Sequence, residues 1–321
     1  VDLMTSVLLI AELDERGEIG QSTLQAITAA RSLNDAAITV VIPGPDTDLG
    51  SSLAVDEVVA IRPITRSDEG IYQQTTSDLV ELVSANNQDV VIFSKTDFGS
   101  IVGARLAFRI YAALAADCIE ISNANGVVNV TRPVYGGSAL AEFEIASSPA
   151  ILTLRAGAFE PSLDSGSPST SAFTTEPVTD SPATVSDTIA EAREGIRLED
   201  ADFVVSGGRG LGGPEPFSVL KDLADVLGGA VGASRAACDT GWIDHSHQVG
   251  LTGKSVSPDV YIAVGISGAS QHMAGCSSSR AIVAINKDAD CNIFKEARFG
   301  VVGDWEKVLP SFLATVRDLK A

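Results

Sequence analysis

Basic residues are scarce in this chain: 22 lysines and arginines stand against 42 aspartates and glutamates, a formal net charge of −20. A field of that sign repels phosphate backbones and anionic lipid surfaces, which argues against nucleic acid as a partner. Long apolar runs are lacking too. No stretch approaches the roughly 18 residues that cross a bilayer, and the first residues show no basic-then-apolar signal pattern. The expectation is a soluble protein without membrane insertion, cytoplasmic in a bacterium or the mature form of a mitochondrial matrix protein. Cysteines number four, Cys118, Cys238, Cys276 and Cys291, and no two form a CxxC pair. That spacing argues against a zinc site and a disulfide framework and predicts free thiols, buried or half-buried. His245 and His247 form an HxH, but within the polar, glycine-flanked DHSHQ stretch, so a surface loop is expected there and not a metal site.

What is present is the material of ordinary globular domains. Hydrophobic residues make up 45% and charged residues 20% of 321, and that length is enough for two domains with separate cores. Short apolar strands alternate with amphipathic helical patterns from the start: SVLLIAEL, STLQAITAARSL, ITVVIPG, VDEVVAI, TTSDLVELVSA, DVVIFS, then IVGARLAFRIYAALAA as a helix. GVVNVTRPVYGG and AILTLRAG read as further strands, some of them antiparallel candidates. Between Phe159 and about Ala190 the composition turns to Ser, Thr, Pro, Asp and Gly, which suggests a linker or an extended excursion. The rhythm then restarts with ADFVVSGG, PFSVLKDLADVLG, GAVGAS, VYIAVGIS, AIVAIN and a last helix, WEKVLPSFLATVRDL, in which Pro310 is expected to introduce a kink or a split. The predicted fold is two α/β domains: residues 1–190, ending in the Ser/Thr/Pro-rich linker, and residues 191–321, a parallel-sheet dinucleotide-binding domain.

Gly208, Gly210 and Gly213 complete a GxGxxG between a predicted strand and a predicted helix, where glycines let backbone approach a pyrophosphate. The acidic residue expected about 20 positions later to hold a ribose is missing; Asp239 comes too late and follows no apolar strand. GLTGKS, Gly250 to Ser255, is two residues too short for a phosphate loop, because Gln248 stands where its first glycine belongs. GISGA, Gly265 to Ala269, lacks the last glycine of a nucleophile elbow, and His272 is too close in sequence to serve as a triad base. Taken together, SGGRGLGG, GASRAACDTGW, QVGLTGKSVSP and GISGASQHMAG are four Gly/Ser/Thr-rich turns at strand ends. They supply backbone N–H and hydroxyl donors to one crevice and suit an anionic dinucleotide, with FAD and NAD both open on physical grounds.

These turns resemble, in order and spacing, the FAD domain of electron transfer flavoprotein alpha subunits. The family's pattern of a Tyr-led strand, a Gly-x-Ser-Gly turn, a Gln-His pair, a Gly and an Ala-Ile-Asn strand end stands here as YIAVGISGASQHMAG followed by AIVAIN. SGGRGL, GASRAACD and QVGLTGK are similar to further family blocks, and VLLIAELDERGEIGQSTLQAITAA and GARLAFRIYAALAAD to its N-terminal patterns. The resemblance implies one FAD per alpha subunit. It places Arg209 at the diphosphate and Ser234 and Arg235 beside the flavin. Gln248, Val249, Gly250 and Thr252 form the turn whose hydroxyl lies near flavin N5. Gly265, Ser267, Gly268, Ser270, Gln271 and His272 wrap the pyrophosphate and the N1/O2 edge, and Asn286, Asp304 and Trp305 lie near the ADP half. Leu251 departs from the Gln of many relatives, a change that a backbone contact would survive. No metal is implied.

The resemblance further implies an electron carrier without a small-molecule substrate of its own, a beta subunit docked on the N-terminal domain and carrying AMP or, in bifurcating relatives, a second FAD, flavoprotein donors such as acyl-CoA dehydrogenases, and a quinone-linked acceptor. Fatty acid oxidation is the implied setting. Arg235, Thr252 and His272 are the expected redox-tuning residues; a guanidinium fixed about 4 Å from the flavin is worth on the order of 4 kcal/mol at an effective dielectric of 20. Two rivals follow from the residues alone: a nicotinamide-dependent dehydrogenase, and a nucleotide-sensing module whose N-terminal domain holds ATP or AMP.

Overall fold

The computed structural model describes residues 4–14, 16–44, 47–64, 71–124, 126–137, 139–178, 183, 185–187 and 196–320. The chain divides into two compact units, Val1–Pro133 with Leu140–Ala190, and Val134–Ala139 with Glu191–Ala321. The boundary expected near residue 190 lies outside the described residues.

The first unit runs β1 (Thr5–Ile10), α1 (Gln21–Arg31), β2 (Ala36–Pro43), β3 (Glu57–Ile61), α2 (Gln73–Asn86), β4 (Val90–Ser94), α3 (Asp97–Arg109), β5 (Ala113–Cys118), β6 (Glu120–Ala124), β7 (Val127–Val134), β8 (Ala139–Ile145), β9 (Ala150–Leu154) and β10 (Ser169–Ala172). Seven of these strands form one sheet in the order β10-β3-β2-β1-β4-β9-β5, and every pair in it is parallel. β6, β7 and β8 form a separate three-stranded sheet, with β6 antiparallel to β7. A parallel sheet is covered on both faces, so its central strands are apolar at every position. Accordingly, all five residues of β4 and of β9 are buried. The side chains of β1 divide by the two-residue period of a strand: Val7 and Leu9 enter one apolar layer, Leu8 and Ile10 the other.

Two readings of this region change. The segment expected as one helix through Ala116 is α3 followed by β5. Tyr111 takes a left-handed conformation at φ +56°, its N–H donates to Phe108 and that of Ala112 to Ala107. This pair of bonds is the Schellman closure of a helix, usually made with glycine. Tyrosine gives no sequence signal for it. The Ser/Thr-rich stretch after Phe159 behaves, through Val178, as an extended excursion held on the unit. Ser165 bridges Leu53, and β10 joins the edge of the sheet beside β3. All four side chains of β10 are exposed, and it is held by main-chain pairing together with the Ser169 and Ser171 hydroxyls, which donate to the Asp56 carbonyl and the Glu57 carboxylate.

The second unit runs β11 (Phe203–Gly207), α4 (Phe217–Leu227), β12 (Ala230–Ser234), α5 (Arg235–Asp239), β13 (Gln248–Val249), β14 (Val260–Val264), α6 (Ser270–Cys276), β15 (Ala281–Asn286), α7 (Ile293–Glu296), β16 (Phe299–Val302) and α8 (Trp305–Lys320). Its six strands are all parallel, in the order β13-β12-β11-β14-β15-β16. Numbered within the unit this is 3-2-1-4-5-6, the doubly wound order of dinucleotide-binding sheets. β14 sends Tyr261 and Ala263 to one core and Ile262 and Val264 to the other. α8 stays one helix across Pro310. Pro310 and Glu306, whose carbonyl loses its usual partner, are both exposed, so water can satisfy that oxygen. Cys118, Cys238 and Cys276 are buried free thiols and Cys291 is half-buried; burial pushes Cys118 and Cys276 up to about 12, far from a reactive thiolate.

Candidate functional site

In a doubly wound sheet the ligand crevice lies beyond the carboxyl ends of the strands, where the strand order reverses. Here that point is between β11 and β14, and the turns that follow these two strands pack directly on each other. Gly208 N–H donates to the Val264 carbonyl and Gly210 N–H to the Gly265 carbonyl, each at 2.9 Å. A Cβ on Gly208 would stand 2.3 Å from the Gly265 oxygen and one on Gly210 2.7 Å from it, while Gly265 itself sits at φ +64°. The glycines of the GxGxxG therefore serve a close backbone approach, but to the neighbouring turn. Gly213 takes no part; a Cβ there would meet only the Glu215 carboxylate. Arg209, between them, is exposed.

On one side of this junction lie the ends of β12 and β13. Ser234 closes β12 opposite Val249 of β13, and its Oγ is buried with no hydrogen-bond partner. Arg235, the next residue, is exposed and paired with Asp239 at 3.2 Å. Gln248 is buried; its Nε2 donates to Thr252 Oγ1 at 3.1 Å and its Oε1 lies 3.0 Å from His245 Nδ1. His247 Nδ1 lies 2.8 Å from the Val231 carbonyl, so the two imidazoles of the HxH are drawn to different partners. Because the Thr252 oxygen already accepts, its own O–H is left to donate outward. The turn of Gly250 to Lys254 is fastened to the start of α6. Gly250, at φ +145°, abuts the Gln271 backbone, and Leu251 N–H donates to the Gln271 carbonyl at 2.7 Å. That N–H is therefore spent within the protein. The Leu251 side chain is exposed. Lys254 pairs with Glu199 at 3.1 Å, a structural role that agrees with rejecting a phosphate loop.

His272, in α6, is 8% exposed. Its Nε2 lies 3.0 Å from Tyr261 Oη, and its Nδ1 is buried without a partner. Burial lowers its pKa to about 4, partly offset by the nearby Val249 carbonyl. The ring is therefore neutral at pH 7 and can act on a neighbouring group by hydrogen bonding but not by charge.

Across the junction, Asn286 ends β15, Trp305 begins α8 and Asp304 immediately precedes it. Together with Gly265, Gly210, Gly212 and Lys287 they line a cleft of about 240 Å³. Asn286 Nδ2 donates to the Ile266 carbonyl at 2.9 Å, and the Asp304 carboxylate accepts from Glu306 N–H at 3.1 Å, so both side chains also build the walls that hold them. Gly268, at φ +78°, would place a Cβ 2.3 Å from Ile293 N, and the exposed Ser267, Ser270 and Gln271 flank it. Lys287 and Gly212 escaped the reading of the sequence. Lys287 follows directly on AIVAIN, and a cation just past a strand end was the available signal.

Each sequence-predicted residue thus falls at or just past a carboxyl end of one of six adjacent strands. At about 4.8 Å per strand the row is about 24 Å long, suited to two ring systems joined by a diphosphate. Ser234 Oγ and His272 Nδ1, buried without a partner, are groups that a polar ligand could satisfy. The residues fit a dinucleotide.

Comparison with known proteins agrees. Residues 7–186 match the electron transfer flavoprotein domain and residues 197–277 the electron transfer flavoprotein FAD-binding domain. Electron transfer flavoprotein subunit alpha of Bacillus subtilis is 37% identical over 313 residues, 95% of each chain. That of Mycobacterium leprae is 37% identical over 328 residues, 99% of this chain and all of its own, and that of Thermoanaerobacterium thermosaccharolyticum 42% identical over 245, 75% of this chain and 74% of its own. The chain belongs to the electron transfer flavoprotein alpha-subunit family. The family's FAD-binding domain covers β11 through α6, including Ser234 and His272. Asn286, Asp304 and Trp305 lie beyond the matched stretch. Among the described residues no helix is long and apolar enough to cross a membrane.

Two outcomes follow for the alpha-subunit site. Gly208→Ala forces a Cβ against a backbone oxygen that cannot yield, and should cost about 2 kcal/mol in urea unfolding; a neutral change would mean the turns are not held in contact. His272 has a folded pKa of about 4 against an ordinary 6.5, so the unfolded chain binds the extra proton between these values. Its contribution is complete above pH 6.5 and is lost as pH falls to 4. The stability of the wild type relative to His272→Asn should therefore decline by about 3 kcal/mol from pH 7 to pH 4, and a flat difference would show an exposed ring.

Proposed function

We propose that the chain is the FAD-carrying subunit of a two-subunit electron transfer flavoprotein and a carrier, not an enzyme with a small-molecule substrate. In this reading it takes electrons one at a time from acyl-CoA or other flavoprotein dehydrogenases and delivers them to a quinone-linked acceptor. The observation that carries it is the row of turns at the carboxyl edge of the second unit, with Ser234 Oγ and His272 Nδ1 buried without a partner and a family match to an FAD-binding domain over the same residues. Bound FAD supplies the one-electron chemistry; the chain supplies placement and electrostatics. Arg209 is assigned to the diphosphate, Asn286, Asp304 and Trp305 to the adenosine half, and Ser234 and the outward Thr252 hydroxyl to the flavin ring. The first unit docks the beta subunit, which carries AMP or a second FAD.

The nicotinamide rival still lacks a ribose-binding acid. The nucleotide-sensing rival meets a carboxylate at the strand reversal of the first unit. There Glu12 Oε1 accepts from the Thr96 hydroxyl at 2.7 Å, and Thr96 caps α3 through Gly99 N–H. A negative charge so placed disfavours an anionic nucleotide.

The visible spectrum of the chain co-expressed with a beta subunit tests the proposal. A yellow complex whose absorbance bleaches stepwise on reductive titration is expected, and a colourless complex that FAD cannot reconstitute overturns it. Arg235 is 65% exposed and Asp239 50%, so solvent and its own counter-ion reduce its effect well below the 4 kcal/mol of a fixed, isolated charge. Arg235→Ala should retain FAD and lower the flavin potential by about 20–40 mV; an unchanged titration would remove Arg235 from the tuning.

A further inference from the structure

Tyr261 belongs to no turn of the site. It lies inside β14, fully buried, with its ring 6.0 Å from that of His272 and its Oη 3.0 Å from His272 Nε2. Burial raises the phenol well above its ordinary value, so it keeps its proton and remains a donor. Ser206, on the adjacent strand, lies close enough to temper that rise, but its hydroxyl makes no hydrogen bond of good geometry, whereas the imidazole nitrogen stands at 3.0 Å from the phenol. A neutral imidazole carries one N–H. If the phenol donates to Nε2, the ring proton resides on Nδ1. That atom is buried and makes no hydrogen bond of good geometry; the Val249 carbonyl lies near enough to temper the ring's lowered pKa without closing such a bond.

We propose that Tyr261 is a positioning residue: by donating to His272 Nε2 it fixes the imidazole as the Nδ1–H tautomer and presents that proton to an acceptor atom on the polar edge of the flavin. The inference rests on the FAD reading above. It adds that the donor is neutral, that the donating atom is Nδ1, and that a residue outside the binding turns selects it. Without Tyr261 Oη the two tautomers compete, and the one protonated on Nε2 turns an acceptor lone pair toward an acceptor.

With three histidines in the chain, nitrogen-15 NMR of the histidine-labelled, FAD-loaded complex reads the tautomer directly, with His272→Asn assigning the signal. The expected wild-type ring carries its proton on Nδ1. Tyr261→Phe should mix the tautomers and raise the FAD dissociation constant about three- to tenfold. Adding Tyr261→Phe to His272→Asn should cost less than about twofold more, because the two residues act as one unit. A wild-type ring protonated on Nε2, a Phe variant with unchanged tautomer and affinity, or fully additive losses would overturn the inference while leaving FAD binding intact. A wild-type complex that takes up no FAD removes both this inference and the reading beneath it. If the Phe variant does not fold, the wild-type tautomer decides.

Discussion

The contact on which the second unit depends is the approach of two backbone turns at the reversal of strand order. β11 and β14 are neighbours in space although two strands separate them in the chain, and their turns meet through Gly208, Gly210 and Gly265 with no room for a side chain between them. All six strands are parallel, so all their carboxyl ends face one edge, and every turn leaving that edge is placed relative to this junction. On one side the Gly250–Lys254 turn is bonded to α6; on the other, Asn286 is bonded to the turn after β14. The turns after β11, β13 and β15 are thus each tied to the segment that follows β14.

Against that closed backbone, the unsatisfied groups carry information. A buried polar atom without a partner costs about 1–3 kcal/mol, and native proteins hold few of them. Among the described residues three lie toward this one edge: Ser206 Oγ near the end of β11, Ser234 Oγ at the end of β12 and His272 Nδ1 in α6. In the proposed complex the cofactor supplies the missing partners, and binding it adds to stability by mass action.

The α/β alternation, the parallel sheets and the strand ends that carry the site were legible because buried parallel strands are short apolar runs and because these runs end in Gly/Ser-rich turns. What was not legible has physical causes. β10 and β16 are four-residue edge strands with every side chain exposed; β10 is held by main-chain and serine hydroxyl bonds that leave no apolar pattern, and the apolar run of β16 is short. The end of α3 was hidden by a tyrosine in a conformation usually given to glycine. The glycines of GxGxxG were visible, but sequence cannot tell a backbone approaching a phosphate from one approaching another turn. The pairing of Tyr261 with His272 spans 11 residues and follows from the fold of β14 onto α6, not from any spacing.

The burial of these groups also ranks their electrostatic influence. Arg235 carries a full charge but stands in solvent beside Asp239, where water and a counter-charge screen it. His272 carries no charge, yet its free nitrogen lies where water is excluded and a single oriented N–H acts at low effective dielectric. A screened ion changes its influence with salt and with any docking partner that covers it, whereas a buried dipole fixed by a phenol changes with neither. In the proposed carrier, which must hold one potential while exchanging partners, the buried pair provides the constant part of the tuning and the exposed ion pair the part that a docked protein can alter.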